Sequence, residues 1–204
     1  GKLDTESNVQ FGEGGAGTFS DGKLNTGIKN ERIRWILSQF VRAGARDDIL
    51  YDAKPHIGTD ILSKVVKTMR EKIIAWGGCV YFNKQVKELI LEGVRVKGVR
   101  CTDGDQFTCS QVVLAIGHSA RDTFDMLMRR GYSLAVKPFS VGVRIEHPQR
   151  LINKAQYGTE DAPLPPADYK LVRHLENETV YTFCMCPGGY VVAAASEEGR
   201  VVTN

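Results

Sequence analysis

The sequence predicts an α/β protein with an α+β tendency, in which a mixed region up to residue 137 is followed by a mostly β region. Three observations carry this prediction. Apolar residues recur at helical spacing in three segments between residues 31 and 130. Short β-branched runs separated by turn signals lie in the same region. From Pro138 onward, strand-like apolar runs flank a proline-containing loop at 158–168.

Three helices are predicted near residues 31–43, 59–76 and 120–130. In the second helix, apolar side chains from Ile61 to Ile73 form one face at intervals of three and four residues. A polar residue is expected to cap the start of each helix, and a glycine is expected to end it. These capping and ending residues are Asn30, Gly44, Thr59 or Asp60, Gly77, Ser119 and Gly131.

An antiparallel meander is predicted after the second helix, with turns at Gly93 and Gly104. The continuous apolar run Val112–Ile116 then predicts a strand that is buried on both faces and ends at Gly117. The complete set of predicted strands is 80–82, 86–91, 94–101, 106–109, 112–116, 140–146, 171–175, 179–185 and 190–195.

Length and composition exclude several classes of protein. The chain has 204 residues, of which 42% are hydrophobic and 25% are charged, so it is unlike a disordered or fibrous chain. No apolar run approaches the roughly 18 residues that a membrane span requires. The net charge of +3, from 27 basic and 24 acidic residues, is too balanced to indicate a nucleic-acid or membrane partner.

The five cysteines predict reduced thiols and a cytosolic compartment. A two-residue hairpin turn would place Cys101 opposite Gln106 and Cys109 opposite Gly98, so these two cysteines would not face each other.

Cys184 and Cys186 would share one face of an extended strand. Strand packing explains this pair better than a zinc site, which needs a second pair of ligands at suitable spacing. A redox role for the pair stays open.

A glycine-rich stretch at residues 12–17 matches the letters of the dinucleotide-binding pattern G-x-G-x-x-G. That pattern requires a strand before it, a helix after it and an acidic residue about 20 positions later. The surrounding sequence supplies none of these, so the usual phosphate-binding role is rejected. Two readings stay open: a loop whose glycines allow close approach to a flat ligand, and a plain flexible loop.

A second candidate segment is the turn Gly117-His118-Ser119, which lies between a predicted strand and a predicted helix. Its backbone amides are expected to face a polar ligand at the end of the strand. A serine hydrolase with Ser119 as nucleophile is a minor alternative, because Arg121 stands where the nucleophile-elbow pattern requires glycine.

Four stretches of the sequence carry a family resemblance. They are 10–24 (QFGEGGAGTFSDGKL), 55–60 (PHIGTD), 113–122 (VLAIGHSARD), and 183–189 (FCMCPGG) with the ASEE at 195–198. In this order, and along nearly the whole chain, they resemble a family of bacterial FAD-dependent, NAD(FAD)-utilising dehydrogenases. The first and last stretches are specific to that family, whereas the apolar part of the third is common to flavoproteins with two dinucleotide-binding domains.

The resemblance implies a partial FAD-binding, Rossmann-like domain over residues 1–137, followed over 138–204 by part of a β-rich, substrate-facing inserted domain. In such proteins, a βαβ unit that would lie upstream of Gly1 holds the FAD pyrophosphate. We therefore expect the chain to be part of a longer protein and to bind FAD weakly or not at all alone.

The resemblance also implies which residues contact FAD. The glycine-rich loop would run beside the isoalloxazine ring, the backbone at Val86 would lie near the adenine, and the turn after Ala115 would close over the cofactor. The implied residues are Gly14, Gly15, Ala16, Gly17, Thr18, Ser20, Asp21, Lys23, Val86, Ala115, Gly117 and His118. No metal site and no catalytic acid or base is predicted.

The leading functional hypothesis is a FAD-dependent oxidoreductase that transfers a hydride through the flavin. NAD(P)H or an organic substrate would be the donor, and the chain alone is expected to be inactive. The alternative from another class is a non-catalytic binding or scaffold module. Exposed strand edges would favour a homodimer.

Overall fold

The computed structural model describes residues 2–8, 10–15, 18, 22–24, 26, 28–183, 185–191 and 193–203. The chain is mixed α/β, which confirms the predicted class. It divides into a first unit, residues 1–138 with 195–200, and a second unit, residues 139–194 with 201–204. None of the described helices is long and apolar enough to cross a lipid bilayer.

The three predicted helices are confirmed in the first unit. They are α1 (Arg32–Arg42), α2 (Thr59–Ala75) and α3 (Arg121–Arg129). Glu31, rather than the predicted cap Asn30, immediately precedes α1, although the amide of Arg32 donates a 2.9 Å hydrogen bond to Asn30 Oδ1. A short 3₁₀ helix that was not predicted, Asp47–Leu50, follows α1.

The starts of α2 and α3 differ from the prediction. Gly58 precedes the first residue of α2, so the expected cap by Thr59 or Asp60 is wrong. Ala120 precedes α3 and has no side-chain acceptor to offer, and the Ser119 hydroxyl makes other contacts. The glycines after α1, α2 and α3 have positive φ, as expected at helix ends. They are Gly44, Gly77 and Gly131.

The predicted meander is confirmed as an antiparallel sheet in the order β1 (Val86–Glu92), β2 (Arg95–Cys101) and β3 (Gln106–Thr108). Its second turn holds three residues, because the Cys101 amide donates to the Asp105 carbonyl at 2.8 Å. The register therefore differs from the prediction by one residue.

This register places Gln106 opposite Arg100 rather than Cys101. The Cys109 amide donates to the carbonyl of Lys97 at 2.9 Å, so Cys109 does not lie opposite Gly98. The two cysteines still do not face each other, which agrees with the expectation that they form no bridge.

The predicted strands at 80–82 and 112–116 are wrong. Both segments are without ladder pairing to any described strand. Val113 and Leu114 are 89% and 43% exposed, whereas a strand buried on both faces was expected. The physical reason is that backbone pairing and burial need neighbouring strands, and the described part of the chain supplies none at these positions.

Two apolar clusters stabilise the first unit. One lies among α1, the 3₁₀ helix and α2, and its buried members are Ala43, Ala45, Ile49, Ile57 and Val65. The other lies where α3 packs on β1, and its buried members are Leu89, Met126 and Leu127. These clusters fix the positions of α2 and α3, which precede and follow the segments described below.

The second unit contains α4 (Gln149–Tyr157) and a hairpin of β4 (Val172–His174) and β5 (Thr179–Tyr181). The hairpin lies within two of the predicted strands, and the loop at 158–168 is confirmed. The strands predicted at 140–146 and 190–195 do not form among the described residues, where the pairing near the second is one isolated bridge, Ala193 to Thr203. Helix α4 was not predicted.

Candidate functional site

The described part of the glycine-rich segment forms a tight turn. The Gly15 amide donates to the Gly12 carbonyl at 3.0 Å. Gly14 has a φ of +80°, a backbone conformation that favours glycine, and a Cβ added there would overlap Thr18 Oγ1. Thr18 Oγ1 itself donates to the Glu13 carbonyl at 3.3 Å. Four residues of the implied FAD contact set, Ala16, Gly17, Ser20 and Asp21, lie outside the described residues.

The end of this segment pairs with the second resembling stretch. Lys23 and His56 form an antiparallel bridge. On either side of it, the Leu24 amide donates to the Pro55 carbonyl at 2.9 Å and the Ile57 amide donates to the carbonyl of Gly22 at 3.1 Å. Because Ile57 is buried in the cluster against α2, this pairing fixes the glycine-rich segment to the core of the first unit.

The start of the glycine-rich segment contacts the third resembling stretch. Ser119 Oγ donates a 2.7 Å hydrogen bond to Gln10 Oε1, across 109 positions of the sequence. Ser119 Oγ also lies 3.0 Å from His118 Nδ1. Since the single hydroxyl proton points to Gln10, Nδ1 of His118 must be the donor in the second bond. Neutral His118 therefore carries its proton on Nδ1, and its Nε2 is an acceptor.

A second link lies beside the first. Gln85 Nε2 donates to Glu6 Oε2 at 3.1 Å and to Asp122 Oδ2 at 3.0 Å. Gln85 immediately precedes Val86, the residue that the resemblance places near the adenine, and Asp122 lies in the first turn of α3. The start of β1, the start of α3 and the N-terminal segment therefore meet.

The ASEE stretch joins the same group of segments. Arg121, at the start of α3, forms an ion pair with Glu197. Residues 10–24, 55–60, 113–122 and 195–198 are thus linked by contacts in the first unit, and we call these four segments the motif cluster. Segments that resemble one family but lie far apart in sequence are brought together here.

The turn at residues 117–120 has free hydrogen-bond donors. Within the described part of the chain, the backbone amides of His118, Ser119 and Ala120 have no recorded acceptor. A Cβ added at Gly117 would meet no heavy atom within 4 Å, so one side of the backbone is open. Three donors beside an open backbone fit a flat group that carries acceptor oxygens or nitrogens, as FAD does.

An open cleft of about 470 Å³ adjoins the glycine-rich segment. Its wall includes Gly12 and Glu13 on one side and α2 with residues 80–84 on the other. Arg70 of α2 donates to Glu13 Oε1 at 2.9 Å, and its guanidinium lies 5.4 Å from the centre of the Phe82 ring. This arginine holds the glycine-rich segment against α2.

Lys84 lies at the edge of the cleft and binds the turn between β2 and β3. Its ammonium group donates to Asp103 Oδ2 at 2.5 Å and also contacts the Asp105 carboxylate. The hydrogen bond to Asp103 raises the pKa of Lys84, and the same contact lowers the pKa of the Asp103 carboxyl. This group is structural, because all its members are already paired with one another.

Of the described cysteines, Cys79, Cys101 and Cys109 are free thiols. Burial raises the pKa of the Cys101 thiol, so it is a poor nucleophile. Cys184 lies outside the described residues, so the hypothesis of a redox pair with Cys186 stays a hypothesis. Among the residues that the structure describes, no three His, Cys, Asp or Glu side chains lie close enough together to hold a metal ion.

Sequence reasoning missed several residues that join the motif cluster. Gln10, Gln85 and Arg70 are ordinary polar residues, and each makes its contact across 37 or more positions. The one sequence feature that pointed to Gln10 was the family resemblance of the stretch that begins there. Nothing in the sequence pointed to Gln85 or Arg70, because local periodicity carries no information on distant partners.

Comparison with known proteins gives two findings. Residues 138–204 match a family described as "FAD-dependent protein, C-terminal domain-like". An uncharacterized protein of Clostridium beijerinckii is 51% identical over 208 residues, a match that covers 100% of this chain and 39% of that protein. The chain therefore spans about two fifths of the length of this relative.

Proposed function

We propose that this chain is part of a FAD-dependent oxidoreductase and that the motif cluster forms one wall of its flavin site. The convergence of the four segments carries the proposal, because the contacts join stretches 109 positions apart. The match of residues 138–204 to a family of FAD-dependent proteins supports it from a separate part of the chain.

Bound FAD would supply hydride transfer at its ring, with NAD(P)H or an organic substrate as the donor. The chain's own residues would bind and orient the cofactor. The amides of His118, Ser119 and Ala120 would donate hydrogen bonds to its acceptor atoms, and the open backbone at Gly117 would allow close approach. The glycine-rich segment, held by Arg70 and by the pairing at Lys23, would form the adjacent wall.

His118 would act as an acceptor in this site. Ser119 holds its ring with the proton on Nδ1, and Nε2 is left to accept a hydrogen bond from the cofactor or from a substrate O–H or N–H group. The contact with Gln10 couples this ring orientation to the position of the glycine-rich segment.

FAD binding by the complete protein, measured by flavin fluorescence titration, tests the proposal. Gly14→Ala would force a Cβ against Thr18 Oγ1 in a backbone conformation that disfavours alanine. The expected loss of FAD affinity is about tenfold or more.

Gly131→Ala is the matched control, because Gly131 also has a positive φ, at +78°, but an added Cβ there meets nothing within 4 Å. Circular dichroism checks that both variants fold. Unchanged FAD affinity in folded Gly14→Ala would contradict a flavin site at the glycine-rich segment, and no FAD binding by the complete protein would favour a non-catalytic scaffold module.

A further inference from the structure

The second unit buries almost none of its apolar side chains. Among its described residues, the buried apolar ones are Ala167 and Ala194. A domain of this size is stable when it buries about 60% of the surface of its unfolded chain. Instead, large apolar side chains are exposed along its first segment and its hairpin, including Phe139, Val141, Val143, Ile145, Leu171 and Val180.

Residues 139–146 show the clearest pattern. Odd-numbered positions carry large apolar side chains, and their exposed fractions are 84% for Phe139, 85% for Val141, 93% for Val143 and 75% for Ile145. Such alternation is typical of a strand with one face against an apolar layer. Among the described residues, however, no strand pairs with this segment.

Two even-numbered positions, Ser140 and Glu146, make contacts within the unit. The Ser140 hydroxyl hydrogen-bonds to the Tyr181 hydroxyl, and Glu146 Oε1 accepts a 2.6 Å hydrogen bond from the Val191 amide. Polar side chains thus hold the segment to its own unit, while the apolar side chains at the odd-numbered positions are exposed. In a stable domain, apolar side chains are buried and polar side chains are exposed.

We propose that residues 139–146 form a docking strand, which is paired and covered by a β-sheet element of the same longer protein that lies outside residues 1–204. About three fifths of the Clostridium beijerinckii relative lies outside the match, so such a protein has ample chain for this element. The match to a C-terminal domain-like family begins at residue 138, one residue before the docking strand. This inference is independent of the flavin site.

Hydrogen–deuterium exchange with mass spectrometry tests the proposal on the complete protein and on this chain alone. The amides of 139–146 are expected to exchange at least about a hundredfold more slowly in the complete protein. Rapid exchange in both samples would overturn the proposal. Slow exchange in the chain alone, together with a dimer on size-exclusion chromatography, would overturn it too, because a second copy would then be the occupant.

A pair of valine substitutions provides the second test. Val143→Lys is expected to lower the thermal midpoint of the complete protein by about 5 °C or more, because it would bury a charge. Val94→Lys is the matched control, since Val94 is 99% exposed in the turn between β1 and β2. Equal midpoints for the two variants would contradict the docking strand.

Discussion

At the residue scale, the Ser119 hydroxyl links Gln10 to the turn before α3 and fixes the tautomer of the neutral His118 ring. The hydroxyl donates a hydrogen bond to Gln10 Oε1 and accepts a hydrogen bond from Nδ1–H of His118. Removal of the hydroxyl would therefore remove one hydrogen bond from the ring of His118 and one from the side chain of Gln10.

Replacement of Ser119 tests this arrangement. In Ser119→Ala, the His118 ring loses the acceptor for Nδ1–H and is expected to shift toward the Nε2–H form. Loss of one neutral hydrogen bond costs about 1 kcal/mol, so FAD affinity is expected to fall about fivefold. ¹⁵N NMR of the histidine ring reads the tautomer without flavin, and Ser133→Ala, at an exposed residue after α3, is the control. An unchanged tautomer would contradict the assigned role.

The contact between Lys84 and Asp103 makes a contribution to stability that depends on pH. The pKa of Asp103 is lowered from 3.8, so its contribution to stability is present above that value and is lost as pH falls through the lowered pKa. The pKa of Lys84 is raised from 10.5, so its contribution is present below 10.5 and is lost as pH rises through the raised pKa.

Lys84→Met should therefore lower the urea midpoint by a constant amount between about pH 5 and pH 9. The difference from the unmodified chain should shrink below pH 3.8, as Asp103 is protonated. Lys87→Met, at an exposed lysine of β1, is the control. A difference that persists at pH 2 would mean that Lys84 stabilises the turn by packing rather than by charge.

At the scale of elements, the pairing of 22–24 with 55–57 fixes the glycine-rich segment to α2. Gly22 is buried beneath Leu62 of α2 and has a φ of +65°. A Cβ there would lie 3.1 Å from Leu62 Cδ2. The position therefore combines a backbone conformation that favours glycine with a tight contact.

Gly22→Ala is expected to destabilise the chain by about 1–3 kcal/mol, because it adds backbone strain and crowds Leu62. Gly44→Ala, after α1, has a φ of +111° but meets nothing within 4 Å, so it isolates the contribution of backbone conformation. Urea unfolding followed by circular dichroism measures both. Equal destabilisation would show that the contact with Leu62 has no part in holding the segment.

Helices α1, α2 and α3 could be predicted because each shows its apolar periodicity within its own residues. The meander could be predicted because its strands are joined by short turns. The segments at 112–116 and 140–146 could not be assigned correctly, since a strand forms only where a neighbour offers backbone partners. Helix α4 was missed, although Pro148 at its start is compatible with a helix N-terminus.

At the scale of the whole molecule, the two units differ in how many apolar side chains they bury. The first unit has two apolar clusters, whereas the second buries two alanines among its described residues. The sequence indicated the segments of the motif cluster separately and did not predict that they contact one another. Contacts such as Gln10 with Ser119 and Arg121 with Glu197 depend on the folded chain and have no local signal.

The central claim is that the motif cluster forms part of a flavin site. Its most direct test is the visible absorption spectrum of the complete protein, purified without added cofactor and again after incubation with FAD and removal of the excess. We expect flavin bands in the purified protein, and weak or absent bands for this chain alone. A complete, folded protein that shows no flavin bands even after incubation with FAD would contradict the claim.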